Sequence, residues 1–223
     1  MTDKSISGDI KIAAGQYTKE EDYWLNKLSG ELQVSTFPYD NRHAAGHTPG
    51  KEEYEIPGEL CSKLLHLGNE SHPRLFMILL AGLIVLLNKY SANDDIIIGA
   101  PIYKQEIEAK FINTVLVLRN FINEQLTFKE LLLQVKQTII EADENQNYPV
   151  ETLLYKLNIS SDEVGANLFD AAVLMENIHN PEYIRHTEPN ILFSFRQTGE
   201  NITAAVVYNS LRYQKTTIRR IIS

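Results

Sequence analysis

Residues 94–119 read DDIIIGAPIYKQEIEAKFINTVLVLR. Apolar, β-branched runs stand near both ends, Ile96 to Ile98 and Val115 to Leu118, and such runs fit buried strands. Gly99-Ala100-Pro101 closes the first strand, because glycine and proline interrupt a ladder. The polar passage after it is too long for a tight hairpin. Phe111-Ile112-Asn113-Thr114 leads into the second strand.

Working outward, Thr18-Lys19-Glu20-Glu21 has the form of a capping box and predicts a short helix burying Trp24, Leu25 and Leu28, stopped by Gly30. From Glu31 to Gly50 there is no periodicity, and Pro38, Gly46, Pro49 and Gly50 mark a surface connection. Tyr54 to Ile56 reads as a short strand. A helix with Leu60, Leu64 and Leu65 on one face follows, closed by Gly68. Pro73 opens an apolar helix to about Tyr90, expected to be the most buried element because its apolar residues run nearly all round. Thr127-x-x-Glu130 is a second capping box, before Phe128, Leu131, Leu132, Val135, Ile139 and Ala142 at helical spacing. Val150 to Leu157 reads as a short helix, and strands are expected at about 170–176, 191–197 and 202–208, the last two flanking a Thr198-Gly199-Glu200-Asn201 turn. The chain stops inside a helical pattern at Ile218, Ile221 and Ile222, so the natural protein is expected to continue.

A chain of 223 residues with 43% hydrophobic content can bury a real core. A net charge of -8 without a Lys/Arg cluster argues against nucleic-acid binding, which needs concentrated positive charge. Cys61 is the single cysteine, which excludes an intrachain disulfide and a thiolate metal cluster and fits a reducing, cytoplasmic setting. The run Leu75 to Leu87 is shorter than the roughly 20 residues a membrane span needs. His43-x-x-x-His47 has two-ligand spacing, but its Gly/Pro-rich context and the lack of a third ligand nearby leave a solvated loop as the expectation. Cys61 beside Leu64 and Leu65 reads as a buried structural thiol, and Glu141, Asp143 and Glu144 as a solvated helix end.

Several stretches, in order, resemble the second half of a condensation domain of nonribosomal peptide synthetases. Asp22-Tyr23-Trp24-Leu25 is similar to that family's Tyr-Trp helix, and Phe37-Pro38-Tyr39-Asp40-Asn41-Arg42 to its Leu-Pro-x-Asp-Arg-Pro connection. Phe111, Asn113 and Thr114 match its Gly-x-Phe-Val-Asn-Thr motif, with Ala109 in place of the glycine and Ile112 in place of the valine. Asn145 to Glu151, with Asn147, Tyr148 and Pro149, resembles His/Asn-Gln-Asp-Tyr-Pro-Phe-Glu. Leu168-Phe169-Asp170, followed by Glu176 and Asn177, is similar to the end of the last signature, although Gly165 and Asn167 replace an arginine and a proline before it. Val207-Tyr208-Asn209-Ser210 resembles the closing strand.

This resemblance covers about residues 15–223, after an N-terminal segment 1–14. It implies an α/β, chloramphenicol-acetyltransferase-like half-domain: the C-terminal lobe, a mixed, mostly antiparallel sheet flanked by helices. The family's catalytic His-His-x-x-x-Asp-Gly motif precedes the Tyr-Trp helix. Here no two of the six histidines are adjacent, and none lies before Trp24. The expectation is therefore a non-catalytic partial condensation domain that acts as a structural platform for a downstream adenylation domain. A carrier protein or another synthetase subunit is an alternative partner. The rival is one half of a split acyltransferase that needs a separate N-terminal lobe. No cofactor is expected beyond phosphopantetheine on a partner carrier protein.

Two readings of the motif residues stay open. Asn113, Thr114, Asn147, Glu151, Glu176 and Asn177 could line a channel for a tethered substrate, or Asn113 and Thr114 could tie strand and loop ends through side-chain to backbone bonds, the expected reading. His179 follows a strand whose residues resemble channel-lining positions, which makes it the one candidate substitute base among the six histidines. A half-domain should also show a severed lobe interface, an apolar patch that is covered by the adjacent domain or by a second copy, or else recoloured with polar residues.

Overall fold

The computed structural model describes residues 3–33, 35–105, 113–157 and 168–223, with side chains from Gly15 onward except those of Val150 and Glu151. In chain order the elements are α1 (Asp3–Lys27), β1 (Pro49–Glu55), α2 (Gly58–Gly68), α3 (His72–Ser91), β2 (Asp95–Pro101), β3 (Val115–Phe121), α4 (Phe128–Glu144), α5 (Val150–Lys156), β4 (Ala171–Met175), α6 (Glu182–Arg185), β5 (Ile191–Thr198), β6 (Asn201–Asn209) and α7 (Lys215–Ile222).

The strands form one six-stranded sheet in the order β1-β6-β5-β4-β2-β3. β2 and β3 pair antiparallel, as do β5 with β6 and β6 with β1, while β4 runs parallel to both β2 and β5. The two apolar runs of residues 94–119 are thus neighbours, and all their residues from Ile96 to Ile98 and Val115 to Leu118 are buried. Gly99 is required where it stands: the Phe169 ring lies 2.3 Å from where a Cβ would be.

Helices α2, α3 and α4 lie side by side over one face, and α7 packs beside β1. The opposite face is covered at the β4 side by the connection carrying α6, whose Ile184 is fully buried. The Thr127 capping box is formed: Glu130 N–H donates to Thr127 Oγ1 at 3.3 Å, and Thr127 N–H donates to Glu130 Oε2 at 2.9 Å.

Four expectations are corrected. Thr18 lies inside α1 and is not its N-cap, because the helix runs from Asp3. β1 starts at Pro49 within the expected loop, since pairing with β6 organises residues whose own pattern is weak. In α2 the buried side carries Cys61 with the partly buried Leu64 and Leu65, whereas Leu60 is 50% exposed. The most buried element is β4, every residue of which is buried, and not α3, which exposes Gly82 and Lys89.

Candidate functional site

The parallel strands β2 and β4 end side by side, and most of the motif residues gather around those ends. Asn113 precedes β3 and donates through Nδ2 to the carbonyls of Gln146, at 3.0 Å, and Tyr148. One amide thus holds two residues of the Asn145–Glu151 stretch, 33 and 35 positions along the chain. Thr114 Oγ1 donates to the Tyr183 carbonyl of α6 at 2.7 Å. Tyr148 is 1% exposed and packs on Tyr17 with ring centroids 5.0 Å apart. Asn147 points to solvent, and Pro149 caps α5. Phe111 and the Glu151 side chain fall outside the described residues and side chains.

At the end of β4, Asn177 pins β5: its Nδ2 donates to the Gln197 carbonyl at 3.0 Å and its Oδ1 accepts from Gln197 N–H at 2.9 Å. The Glu176 carboxylate accepts from Ser194 Oγ at 2.8 Å and Arg196 Nε at 2.7 Å. Lys104 Nζ donates to the Glu176 carbonyl at 2.5 Å. Asn113 and Thr114 therefore make the side-chain to backbone ties of the structural reading, while Glu176 and Asn177 form a separate cluster across the sheet end.

His179 sits in a closed environment. Its Nδ1 accepts from Met175 N–H at 3.0 Å, its ring stacks on Tyr103 with an interplanar angle of 13°, and Phe76 meets it edge-on. The residue is 1% exposed, and burial, aided by the nearby Lys104 cation, pushes its pKa down to about 3. The imidazole is neutral near pH 7 and its Nδ1 lone pair is already engaged.

Glu176 and Ser194 also line a trough on the sheet face opposite the helices. A cleft of about 630 Å³ runs between Leu192 and Val207 of the sheet and Pro181 and Ile184 of the crossover wall. A second cleft, of about 520 Å³, shares Lys51, Glu176, Ser194 and Ala205 with it. Charged side chains (Lys51, Glu53, Glu55, Arg196) border this face, while the exposed leucines Leu60, Leu67 and Leu133 sit on helices. Among the described residues no cluster of His, Cys, Asp and Glu could hold a metal ion. Cys61 is buried, and its Sγ lies 3.1 Å from the Glu200 carbonyl.

Two buried polar centres join residues that the sequence reading did not bring together. Arg119, 6% exposed, binds Asp95 through Nε at 2.9 Å and Nη2 at 2.6 Å, and its Nη1 donates to the Ser29 and Lys27 carbonyls at 2.7 and 3.2 Å. Asp170, also 6% exposed, accepts from Tyr39 Oη at 2.5 Å, Asn190 Nδ2 at 2.6 Å and Tyr213 Oη at 3.4 Å. Burial pushes the Asp170 carboxyl up, and these hydrogen bonds oppose the rise. The long sequence separations of these partners left no local signal.

The family model described as Condensation domain matches residues 11–223. Bacitracin synthase 3 of Bacillus licheniformis is 31% identical over 224 residues, covering 91% of this chain and 4% of that protein. Gramicidin S synthase 2 of Brevibacillus brevis is 37% identical over 167 residues, 71% of this chain and 4% of that protein. The X-domain in its complex with OxyB from teicoplanin biosynthesis superimposes with a TM-score of 0.76 at 16% identity, over 92% of this chain and 50% of that one. The starter condensation domain of rhizomide synthetase RzmA, solved with C8-CoA, gives a TM-score of 0.71 at 16% identity, over 93% of this chain and 51% of that one. The chain thus spans about half of these solved chains and a few per cent of the curated synthetases.

Proposed function

Because the chain belongs to the condensation domain family of nonribosomal peptide synthetases, we propose that it serves as a non-catalytic platform, packing against an adenylation domain of the same synthetase. It has the family's chloramphenicol-acetyltransferase-like fold. The observation that carries the reading is the state of His179. Forming an amide from a thioester and an amine calls for a group that orients the amine or takes its proton. His179 is sealed between Phe76 and Tyr103, with Nδ1 occupied by the Met175 amide. Asn113 and Thr114 are likewise engaged by backbone carbonyls. A platform role is in keeping with the similar X-domain, which was solved in a complex with OxyB. The reading includes a cytoplasmic setting and phosphopantetheine arriving only on a carrier protein.

Donor and acceptor aminoacyl carriers supplied to this chain should give no dipeptide above a no-protein control. Turnover that disappears with His179→Ala would overturn the proposal. Hydrogen exchange with and without the adenylation domain should show new protection on this chain, and unchanged protection everywhere would count against a platform.

One observation favours the rival, a split acyltransferase completed by a separate lobe. The trough is open and has Glu176 and Ser194 along it, as a substrate wall would. Adding candidate N-terminal lobes to the same assay separates the two readings.

A further inference from the structure

β1 is the terminal strand of the sheet, and among the described residues no strand pairs with its outer side. The ladder with β6 fixes which backbone groups point outward. Ile56 N–H bonds to the carbonyl of its opposite residue Ile202, and Ser210 N–H bonds to that of its opposite residue Thr48. Hydrogen-bonded and non-bonded pairs alternate in an antiparallel ladder. The even-numbered residues of β1 therefore face β6, and Lys51, Glu53 and Glu55 aim their N–H and C=O groups away from the sheet. Their side chains are exposed on the same face as the trough.

An exposed edge of this length is a template for another strand, and proteins blunt such edges with charge. The charge here is self-complementary. A strand paired with a copy of itself must set outward-bonding residues opposite one another, which requires two odd-numbered positions in each bonded pair. Centring the two-fold axis on Glu52 satisfies this and sets Lys51 opposite Glu53 twice. Centring it on Glu53 would set Lys51 opposite Glu55 but oppose the two Glu53 side chains at the axis in a bonded pair, at a cost. Glu52 then meets its own copy on the helix side, where Lys215 and Arg219 already bind it at 2.5 and 2.8 Å. Those cations hold its carboxyl below the usual range and offset the repulsion. Lys51 and Glu53 already form a pair at 2.6 Å within one chain, so two copies would build an alternating four-charge cluster.

We propose that the outer edge of β1 pairs antiparallel with β1 of a second copy of this chain about a two-fold axis at Glu52, with Lys51 of each copy facing Glu53 of the other. The sheet then runs continuously through the dimer, the two troughs opening on the same side.

Sedimentation velocity across the micromolar range tests this, and a monomer–dimer equilibrium that weakens with salt is expected. Glu53→Pro removes an outward N–H without touching the β6 ladder and should abolish the dimer. Lys51→Glu sets like charges opposite one another at both contacts and should weaken association roughly tenfold. The exchange variant Lys51→Glu/Glu53→Lys should restore it, and this arm does not depend on proline being tolerated. A chain monomeric throughout overturns the proposal, as does a dimer indifferent to Glu53→Pro in a protein that still melts like the parent. A charge exchange that fails to rescue the Lys51→Glu loss overturns the register.

Discussion

Arg119→Met is the most informative single change. The guanidinium neutralises Asp95, whose side chain is 15% exposed, and ties the carbonyls of Lys27 and Ser29 at the end of α1 to the β2–β3 pair. Methionine fills much of the same space, so little packing is lost. What remains is a buried carboxylate without its partner and carbonyls without a donor. Removing one member of a buried ion pair costs about 3–5 kcal/mol, because the other charge stays buried and uncompensated. The Arg119 side chain is only 7% exposed, so solvent screening does not reduce that figure to the level of a surface pair. At about 2–4 °C per kcal/mol for a chain of this size, the melting temperature should fall by roughly 10 °C.

Urea unfolding followed by circular dichroism measures the loss directly, with unchanged m-values as the check that both proteins unfold from comparable states. A second variant, Arg119→Met/Asp95→Leu, removes the stranded charge as well. It should recover part of the loss and not all of it, since the Lys27 and Ser29 carbonyls still lack their donor. A loss below about 1 kcal/mol for Arg119→Met would refute the reasoning, because only a solvated pair is that cheap. Full recovery in the double variant would mean that the α1 carbonyls draw nothing from the guanidinium.

His179 sets a pH dependence with a definite sign. Its pKa falls from the ordinary histidine value of 6.5 to about 3 in the fold, so the unfolded chain takes up the proton first and stability declines as pH drops between those values, by at most about 1.4 kcal/mol per pH unit. His179→Gln should flatten that slope, and a His179 ring resonance titrating near 6.5 in the folded protein would contradict the burial. Leu83, 6% exposed in α3, should not tolerate aspartate, since the charge would be buried without a partner; a soluble Leu83→Asp protein with a cooperative melt would show that the core lies elsewhere.

The strands were legible wherever burial on both faces writes a continuous apolar run, as at Ile96 to Ile98 and Val115 to Leu118, or where alternation was clean, as in β5. The Thr127 cap was legible because a capping box is local. The same pattern misled at Thr18, where helical residues on both sides of it leave no orphan donors to satisfy. β1 was half hidden because a Gly-Lys-Glu-Glu segment has little strand preference, and its place is set by β6, some 150 positions away along the chain. The α3 burial was overstated for a related reason: apolar composition all round says that a helix can be buried, while its neighbours in the layer decide how much of it is.

The motif residues carry the sharper lesson. Asn113 was singled out by its place in a signature, and the signature did bring it to a strand end beside Gln146 and Tyr148. Its amide Nδ2 donates to two backbone carbonyls and so holds the Asn145–Glu151 stretch against the start of β3. Thr114 does the same for α6. A substrate channel needs polar groups whose bonds are free for a ligand, and here Glu176 comes closer, for it lines the trough, although Ser194 and Arg196 already engage its carboxylate. Sequence resemblance locates such residues together; whether they bind or merely brace depends on where each donor and acceptor is already committed, and that is settled by partners far along the chain.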